Sequence, residues 1–124
     1  MKKQLTRLIV GIAMLSLAGA VHAATWQGGA TGDWTGAGDN WGLGAGAYPG
    51  DASHSGEGVT IGGGSTVTLD TNLTNPIGTW LAGNFTLNLS ADMSIGAAYH
   101  GNWNEFTINQ SGGTVTSNSR FDIG

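Results

Sequence analysis

The chain has no cysteine, only two prolines and only four basic residues among 124 positions. Without cysteine there is no disulfide, no thiolate zinc site and no cysteine nucleophile. Four bases against eight acids give a formal charge of −4. Nucleic-acid binding relies on clustered Lys and Arg that displace counterions from phosphates, so no nucleic-acid partner is expected. Long apolar runs are also missing. One apolar or small-residue stretch, Leu8 to Ala20, has 13 residues, against about 20 for a bilayer-spanning helix. Glycine is plentiful, at 23 residues. It lacks the three-residue period and the proline content of collagen. The length fits one small domain.

The N-terminus reads as an address. Met1-Lys2-Lys3 and Arg7 form a basic head, Leu8 to Ala20 an apolar middle, and Val21-His22-Ala23 places small side chains at the −3 and −1 positions. This is the layout of a secretory signal peptide, residues 1–23, cleaved after Ala23. Cleavage leaves no membrane span. Residues 24–124 keep one base, Arg120, and all eight acids, a formal charge of −7. Such a chain is repelled by anionic membranes and nucleic acid and stays in solution. Asn-x-Ser/Thr sequons begin at Asn72, Asn84, Asn88 and Asn109. In so Asn- and Thr-rich a chain they read as chance occurrences, and no attached glycan is expected.

Two textures follow. Residues 24–57 are aromatic, Gly-rich and acidic, and Gly-Asp, Asp-Asn and Pro-Gly pairs punctuate them as turns. Trp26, Trp34 and Trp41 recur at seven- to eight-residue steps. That spacing predicts short extended segments, each pinning one indole to a shared apolar surface. From residue 58 onward strands and turns alternate. The segments are Val59–Ile61, Thr66–Leu69, Ile77–Leu81, Phe85–Leu89, Met93–Ile95, Phe106–Ile108, Thr114–Thr116 and Phe121–Ile123. Most of them alternate an apolar residue with Thr, Ser or Asn between Gly, Asn and Asp, the strand signature. The class is all-β.

The strands also return. Phe85-Thr-Leu-Asn-Leu-Ser90 matches Phe106-Thr-Ile-Asn-Gln-Ser111 at a spacing of 21. Met93-Ser-Ile-Gly96 matches Phe121-Asp-Ile-Gly124 at 28, and Thr66-Val-Thr68 matches Thr114-Val-Thr116 at 48. A unit of 20 to 30 residues built from short strands predicts a right-handed parallel β-solenoid (β-helix). A sandwich or jelly roll also accommodates the strands, but gives no reason for the returning motif. The expected organisation is a signal peptide at 1–23, a Trp/Gly-rich cap region at 24–57, and solenoid repeats at 58–124. Those repeats amount to about three coils, near the minimum for a stable stack, and read as an incomplete array. An open last coil leaves unpaired backbone groups, so end-to-end self-association is expected.

The run Phe106-Thr-Ile-Asn-Gln-Ser-Gly-Gly-Thr-Val-Thr-Ser-Asn-Ser-Arg-Phe-Asp-Ile-Gly124 resembles the coil repeat of large bacterial secreted β-solenoids. These are the autotransporter-associated β-strand repeat passengers and similar exported proteins of the PEP-CTERM type. Trp26-Gln-Gly-Gly, Gly32-Asp-Trp34, Asp39-Asn-Trp41, Pro49-Gly-Asp51 and Val59-Thr-Ile-Gly-Gly-Gly-Ser-Thr-Val-Thr-Leu69 resemble the way such proteins open after their signal peptide. Neither a translocating β-barrel nor a C-terminal sorting helix accompanies the resemblance. It implies extracellular or surface display and transfers no catalytic residue.

Candidate chemistry is sparse. Asp51, Ser53, His54, Ser55 and Glu57 put serine, histidine and acids together, but a triad needs its partners converged by the fold. Asp33, Asp39 and Asp51 are the calcium candidates; their spacing matches no EF-hand or nonapeptide array, and Asx turns account for them. His54 and His100 lack neighbouring ligands at metal spacing. Neither a catalytic, a cofactor nor a metal site is assigned. Trp26, Trp34 and Trp41 are expected to cap the open end of the repeat array. Trp103, with Asn102 and Asn104, is the candidate for contact with a glycan.

Three functions follow. The first is an extracellular or cell-surface structural or adhesive segment without catalytic activity, meeting extracellular polysaccharide or a host or neighbouring cell surface. The second is a carbohydrate-binding module using exposed aromatics. The third is a fragment of a β-helix polysaccharide-active enzyme. For the last, the mature chain offers only Arg120 as a strong cation and no paired carboxylates in one motif. Export is expected to remove residues 1–23 and leave Ala24 first. N-terminal sequencing of secreted material checks this, and a secreted chain retaining Met1 contradicts it.

Overall fold

The computed structural model describes residues 23–78, 80–96, 100–101 and 106–118. The leader 1–22 and the segment Phe121–Ile123 lie outside them. The described residues form ten strands and no helix. They are β1 (Ala23–Thr25), β2 (Thr31–Asp33), β3 (Gly58–Ile61), β4 (Ser65–Leu69), β5 (Trp80–Ala82), β6 (Phe85–Leu89), β7 (Met93–Ile95), β8 (His100–Gly101), β9 (Phe106–Gln110) and β10 (Val115–Ser117).

Every ladder among them is parallel. One sheet has the order β1-β3-β5-β8, a second β2-β4-β6-β9, and a third joins β7 to β10. Ile77 extends the third sheet through a parallel bridge to Ile95. Successive stretches of chain therefore feed the sheets in rotation, β3-β4-Ile77, then β5-β6-β7, then β8-β9-β10. Partners lie 18 to 22 residues apart along the chain. The first step, from β1 to β3 and from β2 to β4, is 35 residues. The extra length is the loop after Asp33. The ladders thus begin inside the Trp- and Gly-rich segment.

Alternation decides which side of each strand is buried. On β4 and β6 the odd positions are inward and the even ones half-exposed. Val59, Ile61, Val67, Leu69, Ile77, Leu87, Leu89 and Ile95 are fully buried, with Phe85 and Met93 at 2% exposure. Register stacks like on like: Phe85 on Phe106, Thr86 on Thr107, Leu87 on Ile108, Asn88 on Asn109. The two phenyl rings stack at 5.4 Å and 9°. The 21-residue match expected this pairing.

Two other expected matches are corrected. Thr66–Thr68 and Thr114–Thr116 lie in different sheets, since β4 pairs with β2 and β6 while β10 pairs with β7. Met93–Ile95 pairs with Val115–Ser117. Ser117, polar at an inward position, hid that match from a reading of apolar spacing. Ile77–Leu81 is likewise not one strand. The chain turns at Gly78, whose N–H donates to Glu57 O at 2.7 Å. Ile77 belongs to one sheet and Trp80–Ala82 to another. A Cβ at Gly78 would collide with the Gly56 carbonyl, so the corner needs glycine.

Truncating a buried methylene cluster in such a core costs about 2–5 kcal/mol. Leu87→Ala is expected to fall in that range in urea unfolding. Thr86→Ala, one residue away on the outer face, should change stability by less than about 1 kcal/mol.

Candidate functional site

The chemistry-bearing side chains described gather where β1 and β2 meet the loop that follows them. β1 runs into Trp26, whose N–H donates to Thr60 O at 2.9 Å; β2 runs into Trp34, whose N–H donates to Thr68 O at 2.8 Å. Trp41 follows in a bend between them. Trp26 and Trp41 meet edge-on at 5.1 Å and 74°, and Trp34 and Trp41 are tilted at 4.6 Å and 54°. Exposures are 8%, 0% and 1% for Trp26, Trp34 and Trp41. A buried indole N–H needs an acceptor, and each has one: Gly29 O at 2.9 Å, Pro49 O at 3.0 Å and Trp34 O at 2.8 Å respectively. A Cβ at Gly28 would enter the Trp26 ring. The three residues expected as a cap are therefore one interlocked cluster, packed on the same core as Ala24 and Val59.

Around the cluster, carboxylates organise turns. Asp39 accepts the N–H groups of Leu43 and Gly44 at 3.0 and 3.1 Å, and Asn40 Nδ2 donates to Asp33 O at 3.1 Å. Asp51 is the most heavily engaged. It accepts the N–H of Tyr48 (3.1 Å), Ser53 (2.7 Å) and His54 (2.8 Å). The His54 Nδ1 lies 2.8 and 2.9 Å from its two oxygens. Asn75 ties this turn to the next stretch of chain, its Nδ2 donating to Asp51 O at 2.7 Å and its N–H to Gly50 O at 2.9 Å. Partial burial works against ionisation of Asp51. The N–H groups of Tyr48 and Ser53, the imidazole and the His54 N–H together outweigh it and hold the carboxyl below its ordinary 3.8.

The fold thus brings Asp51 and His54 together, with Ser53 joining them only through its backbone N–H; among the described residues no serine hydroxyl is bonded to His54. Nor do three His, Asp or Glu side chains converge at metal-binding distance among them. Glu57 has one buried oxygen, Oε2, without a hydrogen-bond partner. Trp103, Asn102 and Asn104 lie outside the described residues. His100 sits in β8, paired in register with Leu81.

Sequence reasoning missed two polar files that tie neighbouring strands. Asn72 Oδ1 accepts the Asp92 N–H at 2.8 Å, and Asp92 Oδ1 accepts the Thr114 N–H at 2.9 Å. Asn109 Nδ2 donates to Asn88 Oδ1 at 3.0 Å. The recurrence of Asn or Asp three residues after Leu69 and Leu89, at 72 and 92, was the available signal. No helix among the described residues is long and apolar enough to cross a membrane. Comparison of the chain with protein-family profiles, curated proteins and solved structures finds no match.

The Asp51 geometry carries a pH dependence of known sign. A carboxyl with a lowered folded pKa binds its proton more tightly when unfolded, so its stabilisation is present above 3.8 and lost as pH falls through the folded value. Hydrogen bonds to a charged group contribute about 1.5–3 kcal/mol each in favourable settings. Asp51→Ala is expected to lower stability by about 2 kcal/mol at neutral pH. The gap from the unsubstituted chain should close in strong acid, read from urea midpoints at both pH values. A gap that is unchanged in acid contradicts the assignment.

Proposed function

We propose that the chain is an extracellular or cell-surface structural and adhesive segment: a right-handed parallel β-solenoid, without catalytic activity, exported from a bacterium by its signal peptide. The observation that carries the reading is the rotation of successive strands through three parallel ladders at steps of 18 to 22 residues. An architecture in which each repeat adds one strand to each sheet gains length and surface with every repeat. It needs no converged site. The resemblance to autotransporter-associated repeat passengers and PEP-CTERM-type proteins supports the same reading, as does the basic-apolar-small leader.

The engaged state of the carboxylates supports it too. Asp39, Asp51 and Asp92 hold backbone N–H groups, which gives them turn-building work. The partners this reading implies are extracellular polysaccharide or another cell's surface.

Two measurements on the expressing bacterium test it. The chain should be digested by protease added to intact cells, and cells displaying it should adhere to surfaces more than cells lacking it. The Trp103→Ala variant should adhere as well as the unsubstituted chain. Glycan-array binding that Trp103→Ala abolishes and Trp34→Ala retains would replace the structural reading with a carbohydrate-binding module. Retention in the cytoplasm would end both.

A further inference from the structure

The outward side of the β2-β4-β6-β9 sheet carries a repeated pattern that neither the core nor the turns use. β4 pairs with β2 and β6, and β6 with β9, without a slip in register. Thr31, Thr66, Thr86 and Thr107 therefore form one file across the four strands. Two residues along each strand, Asp33, Thr68, Asn88 and Asn109 form a second. On β4 and β6 these positions alternate with buried Val67, Leu69, Leu87 and Leu89, so they face away from the core. Thr31, Asp33, Thr107 and Asn109, on the flanking strands, are exposed, and the four residues between them are half-buried.

The backbone sets both repeats of this array. Neighbouring strands lie about 4.8 Å apart, and positions two residues apart on one strand are separated by two rises of about 3.3 Å. Threonine suits such an array, because its branched Cβ restricts χ1 and so the directions its hydroxyl and methyl take from the sheet. The second file is tied along its length where Asn109 Nδ2 donates to Asn88 Oδ1 at 3.0 Å. Among the described residues the hydroxyls of Thr31, Thr66, Thr68, Thr86 and Thr107 bond to no other group of the chain. Their donors and acceptors are left for a partner outside it. We propose that this face binds ice, its two files placing hydroxyl and amide groups at spacings close to two repeats of the oxygen lattice on a prism face of an ice crystal.

Three observations select a water lattice over other partners. The first is charge. One of the eight positions is charged, Asp33 at a corner, in a chain with eight acids. An uncharged lattice meets the other seven without desolvating an ion, whereas a polyanion or an anionic membrane finds no cation there. The second is residue type. None of the eight side chains is aromatic or a long aliphatic, so the face offers no ring to stack on a sugar and no apolar centre for a protein interface. The third is order. One exposed hydroxyl exchanges one water bond for another and gains little. A lattice engages the whole array at once, and the array is already ordered by the register of the buried residues beneath it, which keeps the ordering cost of binding low. The inference goes beyond the structural and adhesive role. It rests on the sheet register and not on export, so the two fail independently.

The test uses chain purified from the expressing cell and ice grown slowly from its solution, with an unrelated acidic protein as the reference. The chain is expected to be taken up into the growing ice in excess of the reference and to facet a seed crystal. Thr86→Tyr sets a bulky ring in the middle of the array and should abolish uptake and faceting. Ser94→Tyr, on the outward side of β7 in the third sheet, should leave both unchanged. Circular dichroism checks that each variant keeps its strand content. If Thr86→Tyr loses it, Thr107→Tyr, at an exposed position of the same file, takes its place. Exclusion of the unsubstituted chain from ice overturns the proposal. So does uptake that the folded file variant leaves unchanged, or that Ser94→Tyr also abolishes. Retention on insoluble cellulose or chitin that Thr86→Tyr abolishes, without uptake into ice, overturns it in favour of a neutral polysaccharide.

Discussion

Parallel, in-register stacking of apolar side chains is the interaction on which the other features rest. Each inward residue of β6 sits over its counterpart in β4 and under its counterpart in β9, as Val67, Leu87 and Ile108 do. A one-residue slip would turn Leu87 and Leu89 to solvent and bring Thr86 and Asn88 into the core. That penalty fixes the register in a chain that has no cysteine and so no disulfide. It also explains why the polar files are regular. Asn88 and Asn109 meet because Leu87 and Ile108 do.

A stack of this kind has an end problem that its interior lacks. Every inner strand is covered on both sides by like strands, while an end strand leaves both apolar side chains and ladder groups exposed. The chain solves one end with 35-residue spacing in place of about 20. The added loop carries Trp34 and Trp41 back over the core, and Trp26 joins them from β1. Indoles suit the task, because a wide apolar surface comes with one N–H that a loop carbonyl satisfies. Gly28 leaves room for the Trp26 ring. Away from the indoles two inward positions lose apolarity from one strand to the next, from Leu89 to Gln110 and from Ile95 to Ser117.

That decline also marks the boundary of what the residues disclose before folding. β4, β6 and β9 were legible because Thr-Val-Thr-Leu, Phe-Thr-Leu-Asn-Leu and Phe-Thr-Ile-Asn alternate cleanly. The Phe85–Phe106 pairing followed from their spacing, and indole burial followed from the size and recurrence of the tryptophans. The corner at Gly78 was not legible, because Ile77 and Trp80–Leu81 form one apolar run whose break lies in the backbone. β2, Thr31-Gly32-Asp33, reads as a turn, and only its ladder to β4 makes it a strand. The partner of β7 was misread because Ser117 occupies an inward place. Of the site, Asp51 and His54 were named from sequence. That Asp51 gathers three backbone N–H groups depends on a loop path that no local pattern encodes.

The use made of the acids links this architecture to the proposed role. Carboxylates in a proton-transfer site are left with accessible lone pairs and with proton affinity matched to the reaction. Here Asp39 holds two backbone N–H groups, Asp51 three and Asp92 one, and the Asp51 carboxyl is pushed toward a more strongly ionised state. Each of these bonds stops a chain from drifting between strands, where the ladder gives no support. Asp92 does so between neighbouring strands, holding Thr114 while its own N–H is held by Asn72. The acidic charge is thereby distributed along the turns. That distribution keeps residues 24–124, which contain eight acids and no lysine, well solvated.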